Sequence, residues 1–289
     1  MLKDMKIRIM GIKRILAGSA MGVRHSLSSS LLPLAALFLS GCEKTIDIDY
    51  HTAATQYVAE ASVTATGMTA RLSTTNAMDD NTGTSDISDA DITVTGSDGS
   101  SQKLTYTRNG FYRATAKGVP GVSYTIDISL DGQRFTSTSI MQNPPKVNSF
   151  TVIRKKITTE WFQMGKLLLQ DLPNEDNWYF MHIYRNNIGY RWAVMSDRND
   201  PNNELQQLFS FFREGSGDSD VLNEGDRLRI EIRTIDQRAY DYLYSMQVME
   251  TTGTNPIQNF AGGCLGYFSA YGEATVDFVY HSSEVTEEE

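Results

Sequence analysis

The chain has 289 residues, of which 40% are hydrophobic and 21% are charged, a composition typical of globular proteins and unlike disordered or fibrous ones. Six of its 26 basic residues and one of its 35 acidic residues lie in residues 1–41, so the remainder carries 20 bases and 34 acids, a net charge of about −14. Such an acidic chain repels nucleic acid, which binds through Lys and Arg at its phosphates, and we therefore expect no nucleic-acid partner.

Residues 1–41 have the organisation of a secretory leader. A basic, Ser-rich segment is followed by the apolar block LLPLAALFL at 31–39. The block is shorter than the ~20 apolar residues that cross a bilayer, but its length is typical of the hydrophobic region of a signal peptide. Translation from Met1 gives an unusually long basic region, whereas a start at Met21 gives an ordinary one, and both starts stay open.

One of the two cysteines, Cys42, directly follows this block in the sequence LSGC at 39–42. The stretch resembles the bacterial lipoprotein signal, in which a peptidase cuts before a cysteine whose sulfur is thioether-linked to diacylglycerol. We therefore expect residues 1–41 to be removed and Cys42 to be lipidated, so that acyl chains such as palmitate hold the protein in the membrane. Residues 42–56 would form a tether between the anchor and the fold. The alternative is an ordinary secreted protein in which the cysteine occurs by chance.

Residues 57–145 have the pattern of an antiparallel β-sandwich. Short runs with strand propensity alternate with the pairs Asp98-Gly99, Asn109-Gly110 and Asp131-Gly132. Each pair supplies the positive φ angles that tight hairpin turns require. Regularly spaced short strands with such turns predict an Ig-like or a transthyretin-like sandwich.

A domain boundary is predicted near residue 145, because Asn143-Pro144-Pro145 interrupts the strand pattern. Residues 146–281 are predicted to form a second, β-rich domain, in which residues 228–233 alternate strictly between apolar and charged side chains. The acidic residues 282–289 are expected to form a flexible tail. The fold class expected for the whole chain is therefore mainly β.

One helix is predicted in the second domain, near residues 236–249. Tyr240 and Tyr244 follow helical spacing with the apolar residues of this stretch, so we expect the tyrosine-rich face to point into the core. Asp236 or Thr234 is placed to cap the first turn of the helix.

Catalytic signatures are lacking. The chain contains no Gly-x-Ser-x-Gly, His-Glu-x-x-His, Cys-x-x-Cys or Walker-type sequence, and the histidines that follow the leader, His51, His182 and His281, are scattered. Cys264 lies among small and apolar residues, which favours a buried and inert thiol. We therefore expect no enzymatic activity and no cofactor. A carboxylate-based hydrolase is the alternative that the many acidic residues leave open.

Two further stretches are candidates for binding. Asp197, Asn199 and Asp200 lie in an acidic, amide-rich segment that could hold calcium, whose ligands are clustered oxygens on a loop. The EF-hand spacing is absent, and a solvated turn is the alternative. Trp161 could stack on a ligand, and of the aromatic residues in this half it is the one expected to be exposed. The others are expected in the core: Trp178, Tyr179, Tyr190 and Trp192.

Several short stretches occur in a characteristic order along the chain. They are CE at 42–43 with IDID at 46–49, ADITV at 90–94, GFY at 110–112, PGVSY at 120–124, DLP at 171–173 with NWY at 177–179, YDYL at 240–243 and NFAGGCLGYF at 259–268. In this order they resemble a family of Bacteroidota outer-membrane lipoproteins classed as a domain of unknown function. Genes of such proteins often neighbour those of TonB-dependent receptors, so the resemblance implies a place in outer-membrane uptake, with such a receptor as partner.

These features predict a non-enzymatic outer-membrane lipoprotein that is an accessory binding or assembly factor for TonB-dependent nutrient uptake. A surface adhesin or structural module is the alternative suggested by the Ig-like half. The membrane face stays open: acidic residues after a lipidated cysteine are associated with export to the cell surface, but Lys44 interrupts them here. The identity of the ligand is not predicted from the sequence.

Overall fold

Strands dominate the fold, as the sequence predicts. The computed structural model describes residues 54–76, 85–170, 176–197, 204–213 and 221–288. The predicted leader, Cys42, most of the tether and the calcium candidates Asn199 and Asp200 lie outside the described residues. In the described ranges no helix has both the length and the apolar character needed to cross a bilayer.

The first seven strands form an Ig-like sandwich. They are β1 (Tyr57–Thr64), β2 (Gly67–Thr74), β3 (Asp91–Gly96), β4 (Ser101–Arg108), β5 (Phe111–Ala114), β6 (Ser123–Leu130) and β7 (Gln133–Ile140). The order β1-β2-β5-β4 in one layer and β3-β6-β7 in the other is that of a constant-type Ig domain. The first half of β4 also pairs with β3, so the two layers are continuous on one side. Of the two predicted alternatives, the strand order is the Ig-like one.

Local chemistry explains this sandwich. Asn109-Gly110 and Asp131-Gly132 have positive φ at both residues, as the predicted two-residue hairpin turns require. Tyr124 lies near the start of β6 with its ring buried, and the Val119 N–H donates to its hydroxyl oxygen at 2.9 Å. This contact between a tyrosine and the backbone just upstream is the tyrosine corner that Ig-type sandwiches use to hold the turn before this strand.

A strand from the far end of the chain completes the first sandwich, in contrast to the predicted domain division. The predicted second domain includes residues 265–270, but these residues form β14 (Leu265–Ala270), which pairs in parallel with β1. Gly266 makes this approach possible, since a Cβ there would lie 2.0 Å from the Ala59 carbonyl oxygen. On the other side, the Ala270 N–H donates to Ser139 Oγ of β7 at 2.8 Å. The sheet therefore closes almost completely on itself.

The second half of the chain forms another sandwich. Its strands are β8 (Val147–Ile157), β9 (Glu160–Gln170), β10 (Trp178–Arg185), β11 (Ile188–Ser196), β12 (Glu204–Arg213), β13 (Arg227–Ile235), β15 (Gly272–Val279) and β16 (Thr286–Glu288). One sheet has the order β12-β9-β8-β16 and the other β11-β10-β13-β15. Leu167, Met181 and Ile230 lie in the apolar core between the two sheets. The alternating prediction at 228–233 is confirmed, because the apolar residues of β13 are the buried ones.

The predicted helix is α1 (Gln237–Thr252), and Asp236 is its N-cap: Asp236 Oδ1 accepts the Ala239 N–H at 2.9 Å. Leu243 of α1 packs with Phe180 of β10 and Tyr271 after β14, so the helix joins the outer face of the second sandwich to the first. The predicted core face is wrong in one respect. Tyr244 is 47% exposed, because the contact surface of α1 is centred on Leu243 and Ala239.

The end of the chain is paired rather than free along the described part of the predicted flexible tail. A short 3-10 turn at Ser282–Glu284 leads into β16, which lies parallel to β8. Glu287 forms an ion pair with Arg154, and Glu288 lies 2.7 Å from Lys166. The acidic side chains that predict a flexible tail thus form ion pairs with basic residues on the neighbouring strands. The backbone pairing of β16 with β8 adds to that attraction.

Candidate functional site

A pocket of about 370 Å³ opens at one end of the second sandwich, under the linker that joins the two sandwiches. Its floor comes from β10 and β13, and its walls from the linker and from the adjacent ends of β8 and β9. The lining residues are Gln142, Asn143, Pro144, Pro145, Lys146, Gln170, Asn177, Tyr179 and Thr234. Ends of sandwiches and domain junctions are common places for binding sites.

Three buried residues form the floor of the pocket: Asn177, Tyr179 and Thr234. Tyr179 and Thr234 are direct partners on the paired strands β10 and β13, and both side chains point inward. Thr234 is only 5% exposed, and its Oγ1 has no hydrogen-bond partner in the described part of the protein. A buried hydroxyl without a partner destabilises the fold, so this group is available to a bound molecule.

The linker that forms one wall of the pocket packs closely against the backbone of β15. Gly272, the first residue of β15, faces the Asn143-Pro144 segment, and a Cβ on this glycine would lie 2.3 Å from the Pro144 nitrogen. The Gln170 N–H donates to the Lys146 carbonyl at 2.9 Å and ties the end of β9 to the start of β8. The prolines that predicted a domain boundary therefore form one side of the pocket.

The described residues of the lining are mostly polar, and none of them is acidic. They include four residues with side-chain amides, two with hydroxyls and one with an ammonium group, Lys146; the amide residues are Gln142, Asn143, Gln170 and Asn177. Among the described lining residues there is no Asp, Glu, His or Cys, the side chains that most often transfer protons or bind metals. These groups donate and accept hydrogen bonds, which suits the pocket to binding.

Asp197, one of the calcium candidates, lies next to this pocket in the structure. It is 6% exposed, and the Asn177 N–H donates to both of its carboxylate oxygens, at 2.8 and 2.9 Å. Asp197 thus holds in place a residue of the pocket floor. Over the described ranges, no group of three or more His, Cys, Asp or Glu residues could hold a metal ion, while Asn199 and Asp200 fall outside those ranges. Calcium binding by this segment stays a prediction.

Trp161, the candidate for ligand stacking, lies far from the pocket. It is near the start of β9, whereas Gln170 at the pocket ends that strand, so the two are about 30 Å apart at the usual rise per residue. The Trp161 ring is partly exposed, with the Arg154 guanidinium 5.2 Å and the Lys156 ammonium 5.9 Å from its centre. Cations already stack on this ring.

A second cluster lies on the outer face of the sheet that contains β10 and β13. Trp192 is 38% exposed there, although the sequence predicts it in the core, because it lies on the edge strand β11 on the outer face of that sheet. The Arg233 guanidinium lies 5.2 Å from the Phe180 ring and 3.4 Å from Glu231. Burial, with a smaller contribution from Arg233, lowers the pKa of His182 to about 4. This histidine is therefore neutral at physiological pH.

Cys264 is buried at the start of the segment that forms β14, with 2% exposure. Burial raises the pKa of its thiol to about 12, so the thiolate that would act as a nucleophile is not formed near neutral pH. The Cys264 thiol donates to the Leu265 carbonyl oxygen at 3.2 Å. The interpretation of this cysteine as a packing residue agrees with its surroundings.

Sequence reasoning missed the pocket, since its residues come from four separate parts of the chain. One signal was present: Thr234 continues the inward row of Leu228, Ile230 and Ile232, so a polar residue occupies a position where the pattern calls for an apolar one. Gln142, Gln170 and Asn177 carry no such signal.

Comparison with known proteins agrees with the sequence at the level of the family. No curated protein is significantly similar in sequence to the chain. A family model matches residues 43–276, which is 234 of the 289 residues, and the match begins next to Cys42. The resemblance to a domain of unknown function is thereby confirmed, whereas the outer-membrane location and the receptor partner stay predictions. The chain belongs to the family described as Domain of unknown function (DUF4249).

Proposed function

We propose that this protein is a non-enzymatic, lipid-anchored component of the outer membrane that serves as an accessory binding or assembly factor for TonB-dependent uptake. The observation that carries the binding function is the pocket at the end of the second sandwich. Its described lining has amides, hydroxyls and one ammonium group, but no carboxylate or imidazole. Such groups donate and accept hydrogen bonds, which is the chemistry that recognises a polar ligand.

The anchor is supported by the sequence at the start of the matched region. LSGC at 39–42 follows the apolar block, and the family match begins at residue 43. A diacylglyceryl cysteine that also carries an amide-linked acyl chain stays in the membrane, because one chain alone binds only marginally. The receptor partner is supported by the resemblance to outer-membrane lipoproteins.

The two cysteines provide a matched test of this function. In the native host, we expect tagged wild-type protein to fractionate with the outer membrane and to co-purify a TonB-dependent receptor in mild detergent. Cys42→Ala should release or mislocalise the protein, while Cys264→Ala should change neither result. Unchanged fractionation of Cys42→Ala, or recovery of the wild type without a receptor, would contradict the proposal. Protease treatment of intact cells then reports the membrane face.

The Ig-like strand order favours one second candidate, an adhesin or structural module. Deletion of residues 43–145 would remove the Ig-like strands, but it would not test the adhesin role cleanly, because β14 would lose its partner strand β1. A strain that lacks the whole gene, complemented with the wild type, avoids this problem. Loss of adhesion with normal nutrient uptake would favour the adhesin, and the reverse would favour the uptake factor.

A further inference from the structure

We infer that the pocket binds a polyhydroxylated molecule of saccharide size, either uncharged or with one carboxylate. This inference rests on the binding function proposed above and specifies its ligand. Three observations carry it: the size and place of the pocket, the hydrogen-bonding groups of its lining, and the charge of Lys146, the one ionic residue among the described residues of the lining.

The size and position of the pocket fit a small organic ligand. Its volume is about 370 Å³, near the lower end of the range found for small-molecule sites. The buried floor lies between the two sheets of the second sandwich, and the linker covers one side. A ligand would therefore be enclosed on several sides and lose much of its contact with water.

The hydrogen-bonding groups of the lining residues are of the kind that pair with hydroxyl groups. Each of the four lining amides offers an N–H₂ donor and a carbonyl acceptor, although Gln142 Nε2 already donates to the Ile140 carbonyl oxygen at 3.1 Å. A ligand hydroxyl both donates and accepts, so it pairs with either end of an amide. An apolar ligand would form none of these hydrogen bonds.

Thr234 gives the strongest indication that the floor contacts a polar group. Its Oγ1 is buried and has no partner within the described residues, yet it lines the pocket. A ligand hydroxyl at this position would supply the missing hydrogen bond. The neighbouring Asn177 is held in place by Asp197, so the floor is formed before a ligand arrives.

Charge narrows the ligand class further. Lys146 is the one ionic side chain in the described lining, and no carboxylate stands beside it there. A carboxylate on the ligand would form a charge-assisted hydrogen bond with this ammonium group, whereas an amine would be repelled. Sugar acids and neutral sugars therefore fit the pocket better than amino sugars.

A charge series on one sugar skeleton tests the ligand class directly. The probes are glucose, glucuronate and glucosamine, with their galactose counterparts, titrated calorimetrically into the full chain bearing Cys42→Ala. Glucuronate or galacturonate should bind at least as tightly as the neutral sugar, and the amino sugar should bind more weakly. Absence of binding by all six at millimolar concentrations, or tightest binding by an amino sugar, would overturn the inference.

Two buried hydroxyls then locate the site. Thr234→Val keeps the shape of the side chain and removes Oγ1, so we expect affinity for the sugar to fall by about tenfold while the unliganded protein keeps or raises its melting temperature. Ser269→Ala is the matched control, because Ser269 Oγ is likewise buried and without a partner in the described residues but lies on β14, outside the pocket. It should leave affinity unchanged.

The variants and the sugar series test different claims. Unchanged sugar affinity in Thr234→Val would refute the assignment of the pocket, because that variant has no reason to misfold. Failure of the sugar series would leave the proposed membrane anchor and receptor intact, since those are measured by fractionation and co-purification. Conversely, a protein that fails the fractionation and co-purification tests could still bind sugar in the calorimeter.

Discussion

The two sandwiches of this chain differ in how completely they close. In the first, β14 lies between β1 and β7, and Asn259 seals the junction by accepting hydrogen bonds at Oδ1 from Ser137 Oγ (2.7 Å) and from the Phe268 N–H (2.9 Å). In the second, β11 and β12 are sheet edges, and one end holds a polar pocket. In the first sandwich, a strand from a distant part of the chain fills the space between two edge strands, and the sheet closes. In the second, no strand of the described part of the chain fills the space at one end, and a pocket remains that could bind a ligand.

The closure of the first sandwich provides the largest expected effect. Gly266→Ala would place a Cβ 2.0 Å from the Ala59 carbonyl oxygen on a residue with φ of 98°, so β14 must separate from β1. We expect a loss of about 4 kcal/mol in the free energy of unfolding, measured with urea. Gly99→Ala is the control: its φ of 85° is similar but nothing lies within 4 Å, so a loss of about 1 kcal/mol is expected. Equal losses would show that strand closure contributes little.

The connection between the sandwiches gives the next largest effect. Asp236 caps α1 and also accepts the Ile140 N–H from the end of β7 at 3.1 Å. Asp236→Ala removes both contacts and should lower the free energy of unfolding by about 2–3 kcal/mol. Asp236→Asn keeps one acceptor oxygen and should lose about half as much in the same urea titration. A loss in Asp236→Asn as large as in Asp236→Ala would show that both carboxylate oxygens are needed, because the Asn side chain presents a donor to one of the two N–H groups.

Acid should weaken the second sandwich through His182. Because burial lowers the folded-state pKa of His182 to about 4, the unfolded chain binds a proton first as pH falls below about 6.5. The contribution of His182 to stability is therefore fully present above about pH 6.5 and is lost as pH falls toward 4, by about 2 kcal/mol, since the ring is only partly buried. Urea unfolding at pH 7 and pH 5 measures this loss, and His182→Phe should reduce it.

His281 is the matched control for this pH effect. A hydrogen bond that His281 donates to the Glu224 carboxylate raises the pKa of His281, so the contribution of His281 to stability has the opposite sign and is lost as pH rises. Replacement of His281 by Gln should therefore leave the loss of stability between pH 7 and pH 5 in place, or increase it. If His281→Gln abolished that loss, His182 would not be its source.

The smallest effects are expected at exposed ion pairs, one in each sandwich. Lys103 lies 2.8 Å from Asp91 in the first, and Arg229 lies 2.8 Å from Asp277 in the second. Lys103→Ala and Arg229→Ala should each leave the free energy of unfolding nearly unchanged, because water and salt screen both pairs. A clear difference between the two variants would indicate that surface charge also distinguishes the sandwiches.

Local patterns determined much of the fold from the sequence alone. The hairpin turns at Asn109 and Asp131, the alternation of β13, and the helix that begins after Asp236 all appear as predicted. In each case the physical cause lies within a few residues: a positive φ, a period of two, or a carboxylate that accepts a backbone N–H. The lipid anchor is likewise a prediction from a short contiguous signal.

Contacts between residues far apart in the sequence decided the remaining features of the fold. Val58 pairs with Leu265, and no local preference indicates that a strand so late in the chain belongs to the first sandwich. The exposure of Trp192 and Tyr244 also depends on which faces other elements cover, since an aromatic side chain has the same periodicity on an inner or an outer face. The acidic end of the chain is ordered by basic residues on β8 and β9 that lie far from it in sequence.

The candidate site belongs to this second category. The sequence shows a proline segment after the first run of strands and a polar residue, Thr234, that continues the alternating row of apolar residues. Only the tertiary structure brought that linker over Gly272 and placed Thr234 beside Asn177 and Gln170 in one pocket. The physical reason is that a pocket forms where separate elements meet without filling the space between them, and that geometry depends on the packing of the whole sandwich.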